Sequence, residues 1–492
     1  MWWVSLPALH FFAKRIVILL LVGVISRAYL PKSEISPFTH CFDVHCVPSP
    51  FSPFLTVTEW IDEHGPVITI RSGTEKIVII GRHEAVVDIM EKQGASLADR
   101  PRLVAAGEIH NGGLSVILTH SGNMWRRVLH THLQPKSAEE YQPLHMSHAK
   151  NMVIDILEDP ANFQNHAATY AATTITKVAY GKTTPTSATD PETIFFRENL
   201  RLLRKALRPG AYLADIIPWL KYLPWYAQEL KRGFERSKQL NTDLLNRVKR
   251  QIQSNMDVGP SFVKYMLENV ELHGLTETEM AFLAGSFYVA GFDTTTLAIC
   301  TVLMAAACFP DEQAKVQAEL DAVVGRDRVP TFADEQSLPR LHAFISEALR
   351  WRPLVPSGLP HRTTNDVKNY CIPAGTTVIG HHWSISRDPD IFPEPHAFRP
   401  ERWTNDQGCL RDDLKFFVFG FGRRVCPGQH VANRSVFINS LLVLWAFRLT
   451  LGATKPLDDM TYMRGEDQPS FIEFKARVPE TELRQMMQND PV

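Results

Sequence analysis

The segment Phe419-Gly-Phe-Gly-Arg-Arg-Val-Cys-Pro-Gly428 places one cysteine, Cys426, in a glycine-flanked and doubly basic turn. Glycines at 420, 422 and 428 let the backbone bend tightly and approach a flat partner closely. The apolar pattern that follows predicts a helix from Gln429 to Phe447. A helix N-terminus and the guanidinium groups of Arg423 and Arg424 both favour a thiolate, so a lowered pKa is expected for Cys426. Such a sulfur suits iron, because an axial thiolate pushes electron density onto a haem and favours O–O cleavage. The plain alternative is a buried structural cysteine in a glycine-rich loop; the ten-residue pattern favours the ligand.

A second constellation, Ala290-Gly-Phe-Asp-Thr-Thr295, interrupts a long apolar stretch. Glycine and successive threonines are poor helix formers, and an aspartate is costly to bury among apolar residues. Helical spacing puts Thr294 one turn beyond Ala290, within reach of its carbonyl or of a water. Gly291 is expected to clear backbone space for a ligand, with local loosening of the helix. A threonine-rich kink in a core helix is the competing interpretation. Glu347-Ala-Leu-Arg350 is an acid–base pair at i, i+3, a spacing usually found on a solvated helix face.

The cysteine segment resembles the haem-binding loop of the cytochrome P450 family, Phe-x-x-Gly-x-Arg-x-Cys-x-Gly, with Phe419, Gly422, Arg424, Cys426 and Gly428 in place. The second constellation resembles that family's oxygen-activation motif. The resemblance implies that Thr294 orients a proton-delivering water and that Asp293 connects it to solvent. It also implies a buried charge triad of Glu347, Arg350 and Arg402, the last from Pro400-Glu-Arg-Trp403, locking the chain ahead of the cysteine loop. Trp125-Arg-Arg127 resembles the family's Trp-x-x-x-Arg haem-propionate element, except that Leu129 stands at the arginine position, which leaves Arg126 or His130 as the donor. Pro360-His-Arg362 resembles a second propionate contact, making His361 and Arg362 candidates. Leu359-Pro-His-Arg-Thr363 and Arg387-Asp-Pro389 look most like membrane-bound fungal members of secondary metabolism.

The elements needed to position these residues are mostly helical. Pro66 to Gly81 alternates about Ser72-Gly73 and predicts a β-hairpin. From Glu84 to Met280 the period is helical, broken at Asn111-Gly112-Gly113 and over Lys182 to Pro191. Further helices are predicted over Phe282–Phe309, Asp311–Val324 and Leu338–Arg350, with short strands around Val367–Ile379 and Phe471–Val478. The fold class is therefore mainly α: the cytochrome P450 fold by resemblance, one large helical haem domain with small β-sheets.

Composition sets the outer bounds. The 492 residues are 45% apolar and 21% charged, which allows a sizeable core, and the net charge of −1 gives no pull toward nucleic acid. Seven cysteines without a Cys-x-x-Cys pair argue against a disulfide framework or a zinc site. Residues 1–30, with an apolar run from Ile16 to Ile25, read as a membrane anchor, and 31–55 as a proline-rich linker leading into a haem domain over 56–492. The resemblance implies haem b as cofactor and an endoplasmic reticulum membrane location with the catalytic domain cytosolic. An NADPH-dependent reductase would be the electron donor, docking on a face around Arg127, Lys415, Arg423 and Arg424. It implies an apolar pocket walled by Arg102–Gly122, by Leu202, Leu203, Tyr212 and Trp219, and by Phe287, Val355–Leu359 and Gly465–Ser470. The expected activity is oxygen insertion into a lipophilic substrate such as a terpenoid or polyketide. The alternatives are desaturation, rearrangement or phenol coupling at the same site, and a non-enzymatic haem-binding protein.

Overall fold

A computed structural model describes residues 40–43, 53–72, 75–120, 122, 125–208, 210–256, 259–452 and 472–489. The proposed anchor, most of the linker and the wall segment Gly465–Ser470 lie outside the described residues.

The centre of the molecule is a core helix, Glu277–Cys308. Its start is fixed by a capping box: the Thr276 side chain accepts from the Glu279 amide and the Glu279 carboxylate accepts from the Thr276 amide. Pro310 opens the next helix, Pro310–Val323, and so ends this one. The core helix is apolar and long enough to cross a membrane, but it is mostly buried within the protein. Helix Phe163–Tyr180 packs along it, and helix Gln228–Gln253 crosses it where Asn241 lies against Gly285. The helix after the cysteine, Gln429–Ala446, carries polar residues in its first turns, Gln429 to Arg434, but from Ser435 to Ala446 it is buried on every side. A helical stretch that is mostly apolar all round has to sit inside the core, and this one does.

A mixed sheet flanks the helices in the order β1-β2-β3-β5-β4. The hairpin expected near Ser72 is β2 (Val67–Ser72) and β3 (Glu75–Ile80), antiparallel with Val67 opposite Ile80. Strand β5 (Thr377–Gly380) joins β3 in parallel, and β4 (His361–Arg362) pairs antiparallel with β5. Strand β1 (His40–Asp43) runs parallel to β2, so the stretch expected as a linker contributes a sheet edge. A second ribbon pairs β6 (Phe447–Leu451) with β7 (Ile472–Ala476). The mainly helical architecture with small sheets agrees with the sequence expectation.

Candidate active site

Cys426 follows a short helical turn, Gly422–Arg424, and precedes helix Gln429–Ala446. The Cys426 amide donates to the Phe419 carbonyl at 2.8 Å, which closes the loop, and Gly420 and Gly422 hold φ of 82° and 51°. At Gly422 a side chain would run into the Met90 carbonyl, so only glycine fits. A Cβ on Gly428 would sit 3.8 Å from the Cys426 sulfur. Burial pushes the Cys426 thiol up, while the Gly428 amide and the Arg126 guanidinium pull it down; the balance is upward. The expectation of a lowered pKa through Arg423 and Arg424 is therefore corrected. Arg423 is exposed, and Arg424 turns away to donate to the Ala98 carbonyl at 2.7 Å and to the Thr119 carbonyl.

Beside the cysteine loop lies a cavity of about 240 Å³ lined in part by Ala98, Thr119, Trp125, Arg126 and Arg424. Arg126 donates to the Val425 carbonyl at 2.8 Å, and Arg100 to the Pro360 carbonyl at 2.5 Å. Trp125 and Leu129 are buried on one face of helix Trp125–Leu133. His130 lies one turn, about 6 Å, farther along than Arg126 and is exposed. Of the two donors left open by sequence, Arg126 therefore reaches the cavity and His130 does not.

Alternation along β4 divides the other candidate pair. His361 points inward and is buried, whereas the Arg362 guanidinium lies against Gly375 on the opposite side. His361 Nδ1 donates to the Leu97 carbonyl at 2.9 Å. Burial, with Arg100 nearby, pushes its pKa down to about 3, so the ring is neutral and its second nitrogen can only accept. Neither residue offers a donor to a carboxylate here. Arg100, which the sequence reading missed, does. Burial, together with repulsion from Arg424 and Arg126, pushes it down to about 9. Burial, and then Arg126, likewise lowers Arg424. Three half-buried or buried guanidinium groups that repel one another fit an anionic partner, and the two propionates of a haem are such a partner.

The residues of the second constellation lie on the core helix. Ala290 and Thr294 are exposed in an otherwise largely buried stretch, so one face of the helix borders an open cleft. The Thr294 hydroxyl donates to the Ala290 carbonyl at 2.7 Å. The helix runs unbroken through this segment, without the expected loosening. Gly291 serves packing rather than a ligand: a Cβ there would lie 2.5 Å from Ile175 Cδ1. Asp293 is partly exposed, and its Oδ2 accepts from Arg204 Nη2 at 2.5 Å, a partner the sequence gave no sign of. Phe287, expected as a pocket wall, is buried and stacks on Phe262 with ring centroids 5.2 Å apart. Trp219 is exposed rather than inward-facing.

Glu347, Arg350 and Arg402 meet. Arg350 binds both Glu347 oxygens at 2.7 Å, and Arg402 Nε donates to Oε1 at 3.2 Å. Two further donors were not foreseen: the Trp403 indole N–H at 2.9 Å and the Arg399 amide at 2.8 Å. A fully buried carboxylate with this many donors is satisfied and holds Arg399 to Trp403 against helix Pro339–Trp351.

Comparison with known proteins gives the family. The family model described as Cytochrome P450 matches residues 50–467. The chain belongs to the cytochrome P450 family. It is 47% identical over 438 residues to cytochrome P450 monooxygenase 64 of Postia placenta, covering 87% of this chain and 88% of that one. Cytochrome P450 monooxygenase 113 of the same fungus is 45% identical, with 89% and 90% covered. Cytochrome P450 monooxygenase criE of Aspergillus cristatus is 32% identical, with 87% and 79% covered. This P450 is thus an enzyme of the monooxygenase class, and the family implies a haem cofactor.

Proposed function

We propose that Cys426 ligates the iron of haem b and that Arg100, Arg126 and Arg424, with Trp125, hold its propionates. The observation that carries this is the gathering of three mutually repelling guanidinium groups at the loop of the partly buried Cys426, two of which, Arg126 and Arg424, line the cavity beside it. When bound, the haem supplies oxygen activation: one atom of O2 enters a C–H bond of the substrate and the other leaves as water, with two electrons and two protons consumed. The chain's own residues bind, orient and supply protons. The Thr294 hydroxyl, fixed on the Ala290 carbonyl, presents its oxygen to accept a hydrogen bond from water in the cleft. Asp293, one residue earlier and partly exposed, exchanges protons between that water and bulk solvent. Phe419 and Gly428 keep the loop tight about the sulfur.

The substrate is a lipophilic small molecule of secondary metabolism. Support comes from an apolar cluster that joins the segment around Val104 and Ile109 to Leu202, Leu203 and Tyr212. Electrons come from an NADPH-dependent reductase on the face around Arg127, Lys415 and Arg423, all exposed; Arg424 is turned inward and does not belong to it. The protein resides on the endoplasmic reticulum membrane through residues 1–30, with the haem domain, 56–492, in the cytosol. Exposed Ile216, Trp219, Tyr222 and Trp225 support contact of that domain with the lipid interface.

The test is incubation of the reductase-coupled enzyme with lipophilic metabolite extracts, followed by mass spectrometry. Products carrying one added oxygen atom support the proposal. Loss of two hydrogens without oxygen gain moves the reaction to desaturation or coupling, and NADPH consumption that converts no compound overturns it.

A further inference from the structure

The segment that packs on the cysteine turn has an uncommon backbone. After the short helix His83–Val86, residues Val87–Glu91 form one π-helical turn, closed by the Lys92 amide on the Val87 carbonyl at 2.9 Å. Such wide turns are rare and are frequent at functional sites. Ile89 and Met90 are buried here, in one apolar cluster with Phe421 of the cysteine loop. Asp88 ties the segment to the turn Lys368–Tyr370, accepting from the Tyr370 hydroxyl at 3.2 Å and from Lys92 at 2.8 Å. The chain then meets the cysteine turn glycine on glycine. A Cβ on Gly94 would lie 3.2 Å from the Gly422 Cα, and one on Gly422 just as close to the Gly94 Cα. This approach brings the Glu91 carboxylate onto the Gly422 amide, which donates to Oε1 at 2.6 Å. Gly422 opens the turn Gly422–Arg424, and the first amides of a helical turn have no acceptor within it. Glu91 supplies one, and a bond to a carboxylate is stronger than one to a neutral carbonyl.

From this geometry we infer that Glu91 is a positioning residue for Cys426, fixing the start of the turn that ends at the sulfur. The other end is fixed by the Cys426 amide on the Phe419 carbonyl at 2.8 Å, so with Glu91 in place the turn is pinned twice. The remaining ties are of a different kind. Arg424 donates to the Ala98 and Thr119 carbonyls and Arg126 to the Val425 carbonyl, and both arginines line the cavity assigned above to the propionates. Their geometry answers to whatever fills that cavity. Glu91 is exposed and lines a separate open groove of about 530 Å³ with Lys415, Phe419, Gly422 and Val425 among its neighbours. Its bond holds the turn before a haem arrives, which preorganises the ligand without touching the cofactor. The inference rests on the reading of Cys426 as the haem ligand.

Two measurements on the full chain test it, with Glu91→Ala and with Glu91→Gln, whose amide oxygen can still accept from Gly422. The first is hydrogen exchange by mass spectrometry, which needs no turnover. Glu91→Ala should speed exchange across residues 419–426 by about two- to ten-fold, the range for one lost hydrogen bond, and leave helix Phe163–Tyr180 unchanged. The second is the lifetime, in dilute urea, of the red-shifted Soret band of the reduced carbonyl complex, which reports thiolate ligation. Glu91→Ala should shorten it by about the same factor, and Glu91→Gln should restore most of it. Unchanged exchange across 419–426 in Glu91→Ala, or an equal rise in helix Phe163–Tyr180, overturns the hold on the turn. Faster exchange with an unchanged band lifetime, or a band as short-lived in Glu91→Gln as in Glu91→Ala, overturns the positioning role. If the wild type gives no red-shifted band, the ligand reading fails and the positioning role falls with it, while the exchange data still show whether Glu91 holds the turn.

Discussion

Replacing Arg402 by alanine separates a structural from a chemical role for the Glu347 cluster. Five donors converge on Glu347, and the Arg402 bond, at 3.2 Å, is the longest of them. Without it the carboxylate keeps both Arg350 bonds, the Trp403 indole and the Arg399 amide. What is lost is one charge-assisted hydrogen bond, the Arg402 bond to the Pro393 carbonyl at 3.0 Å and two longer ones to the Glu394 and Ala397 carbonyls at 3.4 Å. The expected cost is about 1.5–3 kcal/mol. Arg350→Ala is the reference. It strips two bonds from a buried acid, leaves the Ser386 and Pro395 carbonyls without their Arg350 donor and leaves the Ala397 carbonyl to the longer Arg402 bond, so about 3–5 kcal/mol is expected. Against a typical net stability of about 5–15 kcal/mol, the first variant folds with reduced haem content and the second barely accumulates. The assay is urea denaturation followed by tryptophan fluorescence, with haem occupancy from absorbance and the product ratio from mass spectrometry. Arg402→Ala should show a lower midpoint and less haem, with the wild-type product ratio in the loaded fraction. A cost equal to that of Arg350→Ala, or normal stability with altered products, would refute the reasoning.

Three further outcomes can be checked together. Gly291→Ala gains helix propensity but pushes a methyl group into Ile175, so a net destabilisation of about 1–2 kcal/mol is expected by thermal melting; a raised Tm would contradict the packing role of Gly291. Thr294→Ala should leave folding intact and divert electrons to hydrogen peroxide, and wild-type coupling would remove the hydroxyl from proton supply. Acid should weaken the fold early. Burial pushes His145 and His381 down to about 3, whereas an unfolded histidine titrates near 6.5. Below pH about 6.5 the unfolded chain takes up protons that these two folded sites refuse, so stability present above that pH is lost as pH falls toward 3. The slope for the pair is about 3 kcal/mol per pH unit, and a Tm that stays level between pH 7 and 5 would show that neither site is dry and neutral.

What the sequence disclosed depended on whether the physics was local. The cysteine loop was legible because glycine placement, basic residues and the apolar helix fall within one short stretch. The core helix was legible from its long apolar run, whereas the burial of the Glu347–Arg350 pair came only from the family resemblance, because its i, i+3 spacing alone reads as a solvated face. Arg100 was not, since it stands in an irregular segment with no period to mark its inward aim, and its burial appears only once Pro360 and the cysteine loop pack around it. Arg204 meets Asp293 across 89 positions, Trp403 meets Glu347 across 56, and β1 finds its edge on β2, all by tertiary packing. Strand alternation would have parted His361 from Arg362 had so short a strand been recognised. Gly291 was misread because a glycine that admits a ligand and one that admits Ile175 look the same in sequence.

The most direct measurement is the absorbance spectrum of the reduced carbonyl complex of purified protein, compared between wild type and Cys426→Ser. The wild type should give the red-shifted Soret band of a thiolate-ligated haem, and the serine variant should lose it while retaining its fold by circular dichroism. A red-shifted band that survives in Cys426→Ser, or a wild-type spectrum of haem bound through imidazole, would contradict the assignment of Cys426.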